Sequence, residues 1–224
     1  MITSLADDFM VATPEPFADG NHPMRKITRA VAFDGQGAWH RERARRVAEL
    51  FDSMAAGWAA ERTSEARSRP LVDALRRGSL NRAGCWLELG SGAGAGATTV
   101  VPELAVDQGG WLTSMDLSSE MLAHDPNPVP LTQADASALP VRDGAVDVVL
   151  LINMMLFPQE VSRALTPHGQ VLWVNTLGDQ TPIHLPPADV VAALDQVDGP
   201  GAWSATTARS GTGFWVVAQR QTKT

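Results

Sequence analysis

The run Leu89-Gly90-Ser91-Gly92-Ala93-Gly94-Ala95 is where residue types and spacing first suggest chemistry. Glycines behind an apolar strand let the chain turn tightly and let a ligand approach the backbone. The helix start behind such a turn offers unpaired N–H groups. Gly90, Gly92 and Ala95 satisfy the pattern G-x-G-x-x-G/A, so a nicotinamide or flavin dinucleotide fits this turn. Asp116 ends the next apolar segment, where a carboxylate can accept from both hydroxyls of a ribose. It would serve equally as a negative charge just ahead of a helix capped by Ser118. Asp135 follows a third such segment. Its carboxylate can accept from the exocyclic amine of adenine, and the N–H of Ala136 can donate to a ring nitrogen. Together these groups describe a nucleoside-bearing ligand without choosing one.

The elements that must position them follow from periodicity. Strands are expected at 85–89, 111–115, 129–133, 146–152 and 170–175, alternating with helices at 95–104, 118–123, 158–165 and 187–194. Pro102 should interrupt the first of these helices. The segment between Met121 and Asp135 is short, so the helix there should be stunted. The run 146–152 is apolar throughout apart from Asp147, as a strand buried on both faces requires. Segments 203–208 and 214–218 flank Ser210-Gly211-Thr212-Gly213 and read as an antiparallel hairpin. Strand–helix alternation implies a mainly parallel sheet with helices on both faces and a ligand at the carboxyl ends of its strands. Upstream, Val47, Leu50, Phe51, Met54, Ala55 and Trp58 form one apolar stripe of a helix over 40–61. A second helix is expected to start at Pro70 and end before Gly78. Residues 1–37 are rich in Asp, Gly, Pro and Thr and read as an irregular docking arm. The expected organisation is therefore an irregular arm at 1–37, a helical cap at 38–79 and a Rossmann-like α/β domain at 80–224.

Composition bounds the setting. The chain has 224 residues, 44% hydrophobic and 19% charged, which is globular in character. Its net charge of −7 disfavours a phosphate backbone, so no nucleic-acid partner is expected. The basic cluster Arg41-Glu42-Arg43-Ala44-Arg45-Arg46 reads as a solvated helix face. The single Cys85 can form neither an internal disulfide nor a multi-cysteine zinc site, and no metal is expected. The acidic start lacks the basic region of a secretory signal. The longest apolar run, 146–157, holds Asp147 and Asn153 and is too short to span a bilayer. A cytoplasmic protein without membrane insertion is the expectation. Seven Trp and no Tyr is a skew that composition leaves unexplained.

Five short motifs in order then resemble the class I S-adenosylmethionine (SAM) dependent methyltransferases, in particular the small-molecule group with the ubiquinone/menaquinone-type enzymes. They are E-x-G-x-G-x-G at 88–94, D-x-S-x-x-M-L at 116–122 and D-A-x-x-L-P at 135–140, then D-x-x-x-D-V-V at 143–149 and Arg163-Ala164-Leu165-Thr166-Pro167-His168-Gly169. The resemblance covers roughly 45–219 and implies a seven-stranded sheet ending in the hairpin. It implies SAM as cofactor. Glu88 and the backbone of Gly90, Ser91, Gly92 and Gly94 would lie under the methionine end, and Asp116 would hold the ribose. Leu117 and Met121 would pack near the nucleoside, and Asp135 and Ala136 would read the adenine. Asn153 and Met154 would face the methyl-transfer site. Phe51-Asp52-Ser53-Met54-Ala55-Ala56-Gly57-Trp58 resembles the family's F-D-x-x-A-x-x-Y segment, with Trp58 in place of Tyr. Trp58 would then lie over the cofactor, where its ring face attracts a sulfonium, or else pack in the stripe. His168 replaces a glycine of the family's P-G-G turn and reads as a surface residue.

A carbon or hydroxyl acceptor also needs a base near its proton. Of the five histidines, His184 lies after the fifth strand, where the family often places substrate residues, and His40 lies just ahead of the cap helix. These are the candidates. The two prolines of the N/D-P-P-Y/F signature for base-amine methylation are absent from Asn153-Met154-Met155-Leu156-Phe157. That segment reads either as an apolar wall for a small, largely apolar acceptor or as core. A non-methylating SAM-binding regulator on the same fold and an NAD(P)-dependent oxidoreductase are the alternatives.

Overall fold

The structure, a computed structural model, describes residues 1–11, 22–61 and 64–221. Among the described residues there are eight strands: β1 (Ile2–Ser4), β2 (Cys85–Leu89), β3 (Trp111–Asp116), β4 (Leu131–Gln133), β5 (Val146–Ile152), β6 (Leu165–Asn175), β7 (Trp203–Ser210) and β8 (Gly213–Arg220). They form one sheet in the order β1-β7-β8-β6-β5-β2-β3-β4. Only β8 runs against its neighbours, β6 and β7. Because β2 pairs with β5 on one side and β3 on the other, the chain order reverses there. A crevice at the carboxyl ends of β2 and β5 is the consequence.

The seven expected strands are in place, and the eighth corrects the picture of an irregular arm. Ile2, Thr3 and Ser4 pair in parallel with Ala205, Thr206 and Thr207. The arm continues this with N–H donations from Leu5 to Thr207 O and from Asp8 to Arg209 O, each 2.9 Å. An edge strand presents a row of unpaired backbone groups, and the arm satisfies those of β7. The arm also contains the helix α1 (Pro23–Phe33), capped by His22, whose side chain accepts from Met24 N. Its apolar face, Met24, Ile27, Val31 and Ala32, packs on the core.

Five further helices lie as expected within a few residues: α2 (Arg41–Glu61), α4 (Ala95–Val100), α5 (Ser119–Ala123), α6 (Pro158–Ala164) and α7 (Pro187–Asp198). Helix α4 stops where Pro102 enters a 3-10 turn, and α5 is only five residues long. The exception is α3 (Glu65–Arg77), which begins five residues before Pro70. Proline inside a helix leaves the carbonyl four residues back without its donor. Here that carbonyl, Ala66 O, accepts from Thr212 N and Thr212 Oγ1, both at 3.3 Å. The neighbouring Gly211, at φ +56°, permits the approach, since a Cβ there would lie 2.4 Å from Ala66 O.

Successive residues of the central strands enter opposite cores. Leu151 and Trp173 face α1, α6 and α7, whereas Leu150 and Leu172 face α3 and α4. Trp86, Trp173, Trp203 and Trp215 are among the largest fully buried side chains, so much of the tryptophan excess fills the two layers. Trp215 donates from Nε1 to Asp73 Oδ2 at 2.8 Å. The same buried carboxylate takes Arg77 on both oxygens and Arg76 on Oδ1. Burial raises the Asp73 pKa, but hydrogen bonds from Arg77, Trp215 and Arg76 outweigh it and hold the group below its ordinary value. Arg77 also reaches Ala6 O at 2.8 Å, so this cluster ties α3, β8 and the arm together. Asp73→Asn should cost about 2 kcal/mol in urea unfolding at neutral pH, the scale of a hydrogen bond to a charged group. Because the native carboxyl stays ionised to lower pH than the unfolded one, the loss should shrink as the pH falls through the carboxylate range. No described helix is long and apolar enough to cross a membrane.

Candidate active site

The turn after β2 is shaped by its neighbour β3. Gly90 N and Ser91 N both donate to Met115 O, at 2.8 and 3.1 Å. Gly90 has φ +68°, and a Cβ there would lie 2.6 Å from Met154 Sδ. A side chain there is therefore strained by backbone conformation and crowds Met154, two residues past β5. Gly94 N closes the turn on Ser91 O at 3.1 Å, and Gly94 O accepts from Asn127 Nδ2 at 2.8 Å. Ser91 Oγ is buried with no partner, an orphaned group that a ligand's amine or carboxylate would satisfy.

Asp116 ends β3 against this turn. Its Oδ2 accepts from Gly92 N and its Oδ1 from Ser118 N, each at 2.8 Å. Each carboxylate oxygen keeps a lone pair, which is the capacity two ribose hydroxyls require. Burial raises the Asp116 pKa despite these bonds, so further donors would favour its charged form. Glu88 points beneath the turn, accepting from Ser114 Oγ at 3.0 Å and from the backbone of Ala97. Burial pushes its pKa up to about 8. Met121 is buried and Leu117 half-buried beside them.

Helix α2 covers this end of the sheet. Asp52 accepts from Ser118 Oγ and from Glu120 N, which fastens α2 to the start of α5. Six residues on, Trp58 lies over the turn: a Cβ at Gly92 would be 3.5 Å from its Nε1. Phe51 meets the Trp58 ring edge-on at 5.3 Å. Sequence reasoning passed over the role of Asp52, although it stands in the Phe51-Asp52 motif.

At the third strand end, Asp135 meets an unexpected partner. Trp39 Nε1 donates to Oδ1 at 3.0 Å and Oδ2 at 3.1 Å. Ser137 N adds a bond to Oδ1 at 2.9 Å. Ala136 is buried alongside. No local pattern announced Trp39, which stands 96 residues away.

The acceptor side divides the candidates. Asn153, at φ +50°, sits at the end of β5 as expected. Its amide is committed to Thr176, accepting from Thr176 N at 2.9 Å and donating to Thr176 Oγ1 at 2.8 Å. Met154 then turns to Gly90, while Met155, Leu156 and Phe157 are buried in the core. Of the two readings of this segment, three of its four side chains meet that of core, and Met154 alone is left at the turn. His184 is half-buried and its Nδ1 lies 3.0 Å from Asn175 Oδ1. Asn175 Nδ2 donates to Ile183 O at 3.0 Å, which fixes the amide and makes Oδ1 the acceptor. The imidazole proton is therefore on Nδ1, and Nε2 carries the lone pair. Burial lowers the His184 pKa, with Asp179 and Arg25 acting in opposite senses, so the ring is neutral near pH 7. His40 is exposed and caps α2, its Nδ1 accepting from Arg43 N at 3.3 Å. His168 is exposed near the start of β6, so the surface position expected of it holds, in a strand rather than a turn. Among the described residues, no three His, Cys, Asp or Glu side chains cluster as metal ligands would.

Residues 87–173 match a protein family described as "Methyltransferase domain". Among solved structures, a SAM-dependent methyltransferase from Aquifex aeolicus aligns with a TM-score of 0.59 at 14% identity, covering 75% of this chain and 97% of its own. A SAM-dependent methyltransferase from Thermotoga maritima aligns at 0.55 and 14% identity, covering 78% and 99%. The [4+2]-cyclase SpnF aligns at 0.52 and 18% identity, covering 69% and 72%. A comparison with curated proteins finds no match. Residues 87–173 thus match a methyltransferase domain family, and the sheet that carries them has the fold of the class I S-adenosylmethionine-dependent methyltransferases.

Proposed function

We propose that the protein transfers a methyl group from SAM to a small, largely apolar molecule, with His184 as the base. Asp116 holds the ribose, and Asp135 with Ala136 N reads the adenine. Ser91 and the turn from Gly90 to Gly94 receive the methionine end above Glu88. When bound, SAM supplies a methyl group already activated on a sulfonium. The chain then has to orient the acceptor in line, exclude water and take a proton. Met154 lines the methyl-transfer end against Gly90, and Trp58 covers the turn. His184 Nε2 accepts the acceptor's proton while Asn175 keeps the other nitrogen protonated.

The observation that carries the small-acceptor reading is the cap. Trp58 of α2 sits on Gly92, and Trp39, in the link just ahead of α2, sits on Asp135, so both ends of the proposed cofactor groove are roofed by the N-terminal cap. Such a roof favours a small acceptor over a polymer laid across the groove. Incubation with SAM and a panel of small apolar alcohols, phenols and amines should yield S-adenosylhomocysteine. His184→Gln should lower kcat about 100-fold, the scale of general-base catalysis, with SAM affinity unchanged. Methylation of tRNA or protein with no small molecule accepted would overturn the reading. A second reading is favoured by the likeness to the [4+2]-cyclase SpnF. On it the site binds SAM without spending the methyl, and no acceptor in any panel yields S-adenosylhomocysteine.

A further inference from the structure

The one carboxylate proposed to read the adenine is held by a residue of the cap. Trp39 follows the 3-10 turn Gly35–Ala38 that joins α1 to α2. Its ring is buried at 6% exposure and meets Phe157 edge-on at 5.5 Å. The void beside it, lined by Val31, Gly35, Ser137, Phe157, Gln159 and Glu160, is about 20 Å³. That is room for one water and not for another ring position. From this fixed place the indole N–H is shared between both oxygens of Asp135. Ser137 N takes a further site on Oδ1. Oδ2 therefore carries only the shared bond, and its outer lone pair is the free one.

We infer that Trp39 is a positioning residue for the nucleoside: it locks the Asp135 carboxylate so that Oδ2 presents its free lone pair to the adenine amine. The inference rests on the proposed reading of adenine by Asp135. Its consequence is selectivity. An exocyclic amine donates to Oδ2, whereas the carbonyl oxygen of an inosine ring in the same place meets a carboxylate that cannot rotate away. Cofactor selection and seating of the α1–α2 cap then depend on one contact.

The test is calorimetric titration of the full chain with S-adenosylhomocysteine and with S-inosylhomocysteine. The wild type should prefer the adenosyl ligand about 30-fold, as a hydrogen bond to a charged group warrants. Asp135→Asn should erase most of that preference. Trp39→Phe, which keeps the ring but not the donor, should reduce it to about threefold or less. If the wild type binds both ligands alike, Asp135 does not read the amine and both the reading and the inference fall. If Asp135→Asn loses the preference and Trp39→Phe keeps it, the reading stands and the role of Trp39 is overturned. Tighter binding of both ligands by Trp39→Phe would make the indole a plug and would also overturn it. A second readout uses the wild type alone. The Trp39 Nε1–H resonance should keep its carboxylate-bonded position when S-adenosylhomocysteine is added. A shift to the position of a solvent-exposed indole would mean expulsion by the nucleoside and would contradict the inference.

Discussion

Asp116→Ala should weaken SAM binding by about 100-fold or more in a calorimetric titration, the largest effect expected of any single substitution in the groove. Two ribose hydroxyls donating to a carboxylate contribute about 1.5–3 kcal/mol each. The substitution also leaves Gly92 N and Ser118 N without the acceptors that now hold them at 2.8 Å. The first of those donors shapes the turn after β2, and the second starts α5. Binding should therefore suffer through lost contacts and through a loosened turn. Asp116→Asn should lie between, since one amide oxygen can still accept from Gly92 N or from a hydroxyl but carries no charge. Affinity of Asp116→Ala within threefold of the wild type would remove Asp116 from the cofactor map.

Glu88→Gln should make the protein's stability less dependent on pH. The native carboxyl has a pKa raised from 4.5 to about 8, because burial disfavours its charge. Ser114 Oγ and the Ala97 backbone offset part of that, while the charges of Asp125 and Asp116 add to it. Between those two values the native protein holds a proton that the unfolded chain has released. The stabilisation is complete below the unfolded value and is lost as the pH rises through the native one. Over that window the slope approaches 1.4 kcal/mol per pH unit. From pH 5 to pH 8 the variant should therefore gain about 3–4 kcal/mol on the wild type, read from urea midpoints at each pH. Parallel profiles would mean that Glu88 is ionised in the folded chain and that some cation compensates it.

What the sequence made legible is what depends on local pattern. β2 and β5 begin and end where their apolar runs do, and α4 breaks at Pro102, because burial and φ restriction act residue by residue. The order of strands followed from alternation, and the carboxylates fell at strand ends because the sheet is parallel. The stripe Met24, Ile27, Thr28 and Val31 of α1 was also readable at helical spacing. It was obscured by the Pro, Gly and Asp around it. Other features are not local at all. Pro70 sits inside α3 because Thr212, far along the chain, supplies what proline lacks. Ile2–Ser4 is a strand because β7 has a free edge to cover. The places of Asp116 at the end of β3 and of Asp135 behind β4 followed from pattern, but their bonds to Gly92 and Trp39 did not. Asn153 shows the converse: its place was right, and only the structure reveals that Thr176 occupies its amide. Asn175, which orients His184, carries no motif.

A crystal structure of the chain with S-adenosylhomocysteine tests the central claim most directly. The account places both ribose hydroxyls within hydrogen-bond distance of Asp116, the adenine amine on Asp135 Oδ2 and the sulfur near Met154, beneath Trp58. A nucleoside bound elsewhere, with Asp116 still holding only Gly92 and Ser118, would contradict it.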